Sequence, residues 1–252
     1  IGTTLTKLIL KADFVAVTMD KYVHTLKNKY KVDNVKMIPH GTFEIPENPS
    51  QELPEGPLKI MTFGKFGTYK KVEAMIEAVA QVRQETNLDL EIVIAGTDNP
   101  NVPGYLAGVQ EQYKHVPQVT FTGYVEEEEV APLFTNSAVV VFPYTSTTGS
   151  SGVLHQAGSY GKAVVMPNLG DLATLIEDEG YRGEFFEPTS VSSLAKAIKA
   201  IVTNEAYRIE LGETNYKAAT AFPMSRITDM YLQEFTKINN KKSVEKIEVA
   251  QA

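Results

Sequence analysis

Leu58-Lys-Ile-Met-Thr-Phe63, closed by Gly64, and Leu90-Glu-Ile-Val-Ile-Ala95, closed by Gly96, are the stretches whose reading decides the fold. Each is a short apolar run ended by glycine. Between them Val72, Met75, Ile76 and Val79 recur at the spacing of one helix face. The same alternation then repeats. Val119-Thr-Phe-Thr122 ends at Gly123, Ala138-Val-Val-Val-Phe142 at Pro143 and Ala163-Val-Val-Met166 at Pro167, and Glu184-Phe-Phe186 closes the series. Helices are expected between these strands at residues 104–115, 131–136, 151–160 and 171–177. Strands apolar on both sides, alternating with amphipathic helices, predict an α/β fold with a doubly wound parallel sheet covered on both faces. Such sheets take ligands at the carboxyl ends of their strands. Here those ends are repeatedly Gly or Pro, where backbone can approach a ligand closely.

Upstream, Lys11-Ala-Asp-Phe-Val-Ala-Val-Thr18 reads as a helix end running into a short strand. A helix carrying Tyr22, Val23, Leu26 and Tyr30 follows, then a second strand, Val35-Lys-Met-Ile38, closed by Pro39-His40-Gly41. Residues 44–57 hold Pro46, Pro49, Pro54 and Pro57 and few large apolar side chains, so they read as a linker. The expected organisation is therefore residues 1–43 as one piece, 44–57 as linker and 58–222 as the main α/β domain. A helix over 223–240 and a polar, frayed tail over 241–252 complete it.

Composition limits what such a chain can do. Hydrophobic residues make up 43% and charged residues 22%, and no apolar run approaches the roughly 20 residues that span a bilayer. The opening Ile1-Gly-Thr-Thr-Leu-Thr lacks the basic-then-apolar layout of a secretory leader. There is no cysteine, which excludes disulfides and thiolate metal sites and leads us to expect a cytoplasmic location, including the inner face of the membrane. A net charge of −7 and a pI near 5.3 argue against nucleic acid as a partner. Any phosphate site must then be built from a few local cations and backbone amides.

Two strand-to-helix crossings supply such groups. Gly64-Lys-Phe-Gly-Thr-Tyr-Lys-Lys71 reads as a glycine turn with cations at Lys65 and Lys70, and its spacing fits neither GxGxxG nor a Walker A loop. Taken alone it is equally a surface turn with solvated lysines. In Thr145-Ser-Thr-Thr-Gly-Ser-Ser-Gly-Val-Leu-His155, every position from 145 to 152 is Ser, Thr or Gly. Ser150, Ser151, Gly152 and Val153 would leave free N–H groups at a helix N-terminus, a seat for phosphate with about half a positive charge from the dipole. A plain N-capping loop is the alternative. Gly123-Tyr-Val-Glu-Glu-Glu-Glu129 places a run of acids ahead of a helix whose first turn contains Pro132. Its Tyr124 and Val125 sit where they could edge a base. His24, His40, His115 and His155 form no HxH, HxxxH or HExxH pair, so no metal site is expected. No GxSxG elbow occurs.

The order of these motifs resembles the family-4 glycosyltransferases, which are retaining enzymes of the GT-B fold. Ile38-Pro-His-Gly41 resembles the family's I-P-x-G segment before its interdomain linker. Gly64, Lys65 and Lys70 fall on its G-R-x4-K turn, which holds the donor diphosphate, with Lys65 in place of Arg. Phe121-Thr-Gly123 matches its Phe-x-Gly strand end, which implies that Tyr124 and Val125 border the nucleobase. Its E-x7-E pair falls on Thr148 and Gln156, and the glutamate of its Gly-Gly-x-x-Glu segment on Thr174. Gln156 would face the ribose, and Thr148 and Gly149 the donor sugar.

The resemblance implies a Rossmann-like C-terminal, nucleotide-sugar-binding domain with a fragment of the N-terminal domain over residues 1–43. The acceptor pocket would lie upstream of Ile1. The expected activity is retaining transfer of a hexose from a nucleoside diphosphate sugar, with UDP as the expected nucleotide, to a glycan or lipid-linked acceptor. Lys65 and Lys70 would be the catalytic cations, with no cofactor and no metal, and peripheral membrane association belongs to the same expectation. This chain alone would be inactive. Two alternatives share the architecture: a UDP-sugar 2-epimerase, which would need carboxylates facing the sugar, and a sugar-nucleotide-binding module without catalysis.

Overall fold

The computed structural model describes residues 2–146 and 151–251, which divide into two units: residues up to Phe43 with those from Phe222 onward, and Glu44–Ala221. The first unit starts with α1 (Gly2–Ile9), β1 (Val15–Val17), α2 (Asp20–Tyr30) and β2 (Val35–Met37). β1 and β2 pair in parallel, Val15 opposite Val35. Leu10, Val23 and Val35 are buried between them, and the Asn34 amide donates to the Leu10 and Ala12 carbonyls at 3.0 and 2.6 Å, fixing the turn that leads into β1.

The second unit follows the strand–helix alternation: β3 (Leu58–Phe66), α3 (Glu73–Thr86), β4 (Leu90–Asp98), α4 (Tyr105–Gln112), β5 (Val119–Gly123), α5 (Glu127–Thr135) and β6 (Ser137–Val141). Then come α6 (Gly152–Ser159), β7 (Ala163–Pro167), α7 (Gly170–Glu179), β8 (Glu184–Phe186), α8 (Val191–Val202) and α9 (Glu205–Ala221). The six strands form one parallel sheet in the order β5-β4-β3-β6-β7-β8. Alternate strand residues bury into two cores. Ile60, Ile92, Ile94 and Val139 pack under α3, α4 and α8, whereas Met61, Val93, Val140 and Val164 pack under α5, α6 and α7. This is the doubly wound α/β arrangement expected from the apolar runs. Residues 44–57, read as a linker, hold neither helix nor strand and are tied along this unit. Tyr160 donates to the Glu44 carboxylate at 3.0 Å, Tyr216 to the Pro46 carbonyl at 2.8 Å and Arg208 to the Gln51 carbonyl at 3.0 Å.

Three boundaries differ from expectation. β3 and β4 do not stop at Phe63 and Ala95 but pair on to Phe66 and Asp98, so Gly64 is a strand residue and not a turn. It lies opposite Gly96 with φ of +134°, and Gly96 has φ of +136°. A Cβ on Gly96 would sit 1.9 Å from the Gly64 carbonyl oxygen, so the pairing runs on only because residue 96 has none.

Helix α5 starts at Glu127, which places Pro132 beyond its first turn. The Glu run is inside the helix because Glu126 and Glu129 form a reciprocal capping box, the Glu126 N–H donating to the Glu129 carboxylate at 3.1 Å. Glu129→Ala should lower stability by about 1 kcal/mol, and Glu127→Ala, which removes no cap, by less. Thermal denaturation of the two variants checks this.

The chain ends in α10 (Met224–Gln251), which runs on past residue 240 through the stretch expected to fray. After Pro223 the sequence holds no Gly or Pro that would interrupt a helix. α10 belongs to the first unit. Its start is bound to residue 42: the Thr42 N–H donates to the Phe222 carbonyl at 2.9 Å and the Met224 N–H to the Thr42 carbonyl at 3.0 Å. Lys36 and Glu234 pair farther along it.

Candidate functional site

In the order β5-β4-β3-β6-β7-β8 the chain winds one way from β3 and the other way from β6, so the crevice between neighbouring crossings opens at the carboxyl ends of these two strands. β3 leads into residues 67–72 and β6 into the segment that ends at Ser151. The two loops are stitched together. Lys70 and Tyr144 form an antiparallel bridge, the Lys71 N–H donates to the Pro143 carbonyl at 2.9 Å, and the Thr145 N–H donates to the Tyr69 carbonyl at 2.8 Å. The rings of Tyr69 and Tyr144 meet edge to face, 5.4 Å between centroids.

Lys70 is held at this junction. Its ammonium lies 4.9 Å from the centre of the Tyr144 ring and so close to Gly64 that a Cβ there would be 2.6 Å from Nζ. Among the described residues no carboxylate pairs with it. Burial alone pushes its pKa down to about 8. The site thus holds a partly desolvated cation that no carboxylate among the described residues neutralises.

Tyr144 reaches to the other crossing. It is buried, and its phenol hydrogen-bonds the side chain of Ser151, the N-cap of α6. Ser151 is extended (φ −127°, ψ 113°) and makes no side-chain cap. The N–H groups of Gly152 and Val153, in the first turn, have no carbonyl a turn back within the helix to bond to, and they stand at the positive end of its dipole. Tyr144 therefore touches Lys70 on one side and the start of α6 on the other. It was not among the residues singled out from sequence. Its only signal there is its place directly after Pro143, at the mouth of a strand.

The remaining sequence candidates divide. Lys65 is exposed on β3, at an alternate position with Met61 and Phe63. Gln156 is half-buried on α6, one turn below the N-cap. Tyr124 is 73% exposed just after β5, and Val125 packs into the core under α5, so both stand beyond β4 from the Lys70 crossing. Thr148, Gly149 and Ser150 lie outside the described residues.

Residues 57–204, more than half of the chain, match the family described as "Glycosyl transferases group 1". The chain belongs to the group 1 glycosyl transferases. No curated protein matches this group 1 glycosyl transferase in sequence. Solved structures share its fold. Sucrose-phosphate synthase from Thermosynechococcus elongatus is 21% identical with a TM-score of 0.77, over 95% of this chain and 61% of that one. TarM of S. aureus in complex with Fondaparinux, alpha-GlcNAc-glycerol and UDP is 16% identical with a TM-score of 0.73, over 93% and 46%. Anabaena HepE in complex with UDP and glucose is 16% identical with a TM-score of 0.74, over 93% and 66%. This group 1 glycosyl transferase chain thus spans between about half and two thirds of the length of these structures.

One further polar cluster of this group 1 glycosyl transferase was passed over in sequence. His155, in the first turns of α6, is buried, its Nδ1 2.9 Å from the Tyr181 hydroxyl and its Nε2 3.5 Å from the Glu179 carboxylate. Burial, and to a lesser degree Asp178, raises Glu179 to about 7. The elements involved, α6, the end of α7 and the turn after it, come together only in the fold. Among the described residues no helix is long and apolar enough to cross a membrane, and no three His, Asp or Glu side chains gather as a metal site would require.

Proposed function

We propose that this chain carries the donor site of a retaining, family-4 type glycosyltransferase that takes a nucleoside diphosphate hexose, with UDP as the nucleotide. The observation that carries the reading is the desolvated Lys70 ammonium, which pairs with no carboxylate among the described residues and is joined through Tyr144 to the N-cap of α6 at the switch point of the sheet. Membership of the group 1 glycosyl transferases and the UDP bound in structures of the same fold support it.

As the glycosidic bond to the diphosphate breaks, negative charge grows on the leaving phosphate. Lys70, Lys65 and the N–H groups of Gly152 and Val153, with Ser150 and Ser151 beside them, would stabilise it, the kind of preorganised electrostatic effect that is commonly the largest catalytic contribution. In this reading the cations take the part that a metal would otherwise play. Tyr124 and Val125 would border the base and Gln156 would accept from the ribose, while the assignment of Thr148 and Gly149 to the sugar rests on the family resemblance. A glycan or lipid-linked acceptor would be bound by a preceding N-terminal domain, at the cytoplasmic face of a membrane where the acceptor is lipid-linked. Thr148 and Gln156, standing where the resembled family has glutamates, favour a second reading, a binding module without catalysis. The two differ in one result: joined to its acceptor-binding domain, only the transferase slowly hydrolyses its bound UDP-sugar.

Calorimetric titration with UDP, GDP and ADP in parallel tests the donor site. The diphosphate needs protonated Lys70, whose pKa in the free chain is lowered to about 8. Affinity should therefore be level from about pH 7, where the terminal phosphate of UDP is ionised, to about pH 8 and fall above it, by at most about tenfold per pH unit, with proton uptake on binding in that range. Absence of binding by all three nucleotides, or binding indifferent to pH across this range, would overturn the reading.

A further inference from the structure

We infer that Tyr105, at the start of α4, is the positioning residue that holds the Lys70 loop in its binding geometry. This rests on the donor-site reading given above.

The loop of residues 67–72 is short of internal support: within it the Gly67 N–H donates to the Lys70 carbonyl at 3.0 Å and the Lys71 ammonium to the Gly67 carbonyl at 2.9 Å. Tyr105 reaches it from the neighbouring crossing at three points. Its hydroxyl accepts from the Val72 N–H at 2.9 Å and donates to the Glu73 carboxylate, which fixes the point where the loop becomes α3. Its ring lies under the Lys71 ammonium, 4.7 Å from the centroid. The same ring is packed so closely on Gly67 that a Cβ there would come within 2.9 Å of it. Burial and the Glu73 carboxylate raise the phenol pKa, so the hydroxyl remains a donor throughout the working range.

Tyr105 is itself fixed. The Asp98 carboxylate, at the end of β4, accepts from the Gly104 N–H at 2.6 Å and the Leu106 N–H at 2.8 Å on either side of it. The loop is thus held between an aromatic ring on each side, Tyr105 on one and Tyr144 on the other, with Lys70 directed to the Tyr144 side. Freed from Tyr105, residues 67–72 would sample other conformations, and the ammonium would have to be ordered again each time a diphosphate arrived.

The test is a double-mutant cycle read by calorimetry with UDP and with uridine. Tyr105→Phe keeps the ring and removes both hydroxyl hydrogen bonds, and should weaken UDP binding about tenfold while leaving uridine unchanged. In a Lys70→Ala background the same substitution should have no further effect on UDP, because there is no ammonium left to position. If Tyr105→Phe proves unstable, the pair Glu73→Ala and Glu73→Gln serves instead: the first removes the acceptor of the Tyr105 hydroxyl and should weaken UDP binding, and the second keeps a neutral acceptor and should retain most of the affinity. An equal loss in both backgrounds, a parallel loss of uridine binding, or no loss while Lys70→Ala still weakens UDP would each overturn the role of Tyr105 and leave the donor site standing. Failure of the unsubstituted chain to bind UDP would overturn both.

Discussion

Lys70→Ala is expected to weaken UDP binding by about 1–3 kcal/mol, a factor of roughly ten to a hundred, with no loss of thermal stability. The two halves of this result have one cause. The Lys70 pKa in the folded chain lies below its usual value, so at neutral pH the protonated ammonium opposes folding and removing it does not destabilise the chain. The same missing hydration makes the cation strong toward a diphosphate, which would replace the lost water with charged oxygens. Calorimetry and a melting curve on one preparation check both halves. Lys65→Ala, at an exposed position, should have the smaller effect. A Lys70→Ala chain that binds UDP as tightly as its parent would remove the basis of the donor-site proposal.

The second large effect is on the scaffold. Gly96→Ala should destabilise the chain by about 3 kcal/mol or more, because the new methyl meets backbone that cannot turn aside and φ of +136° is a region L residues avoid. Since Gly96 pairs with Gly64, and Gly64 packs on the Lys70 ammonium, UDP affinity should fall as well, even at temperatures where the variant is folded. Gly108→Ala is the control. That glycine lies within α4 with nothing near its missing Cβ, so alanine there should leave stability unchanged or raise it by about 0.5–1 kcal/mol. Equal melting temperatures for the Gly96 and Gly108 variants would contradict the close pairing of β3 and β4.

These cases mark what could be read along the chain. The strands were legible because runs such as Leu58–Phe63 and Ala163–Met166 are buried on both sides and bounded by Gly or Pro. Their lengths were not, because Gly64 and Gly96 look like turn residues until they are seen facing each other. The start of α5 was missed because its cap is a glutamate, Glu126, in the place where a sequence reader looks for Ser, Thr, Asp or Asn. Lys70 was singled out because its loop sets cations between a strand and a helix. Tyr144 and Tyr105, which hold it, were not, since nothing local distinguishes an aromatic ring that packs on a lysine dozens of residues away. The polar cluster of His155, Glu179 and Tyr181 was hidden for the same reason.

The bond between Thr42 and the residues around Pro223 has a consequence for how such chains can be rebuilt. The polypeptide departs for residues 44–221 and comes back at almost the same spot, so that whole stretch is an insertion with adjoining ends. A segment of this kind can be excised, circularly permuted or exchanged for a homologous one by cutting at two neighbouring points, leaving the remainder of the molecule without a gap to bridge.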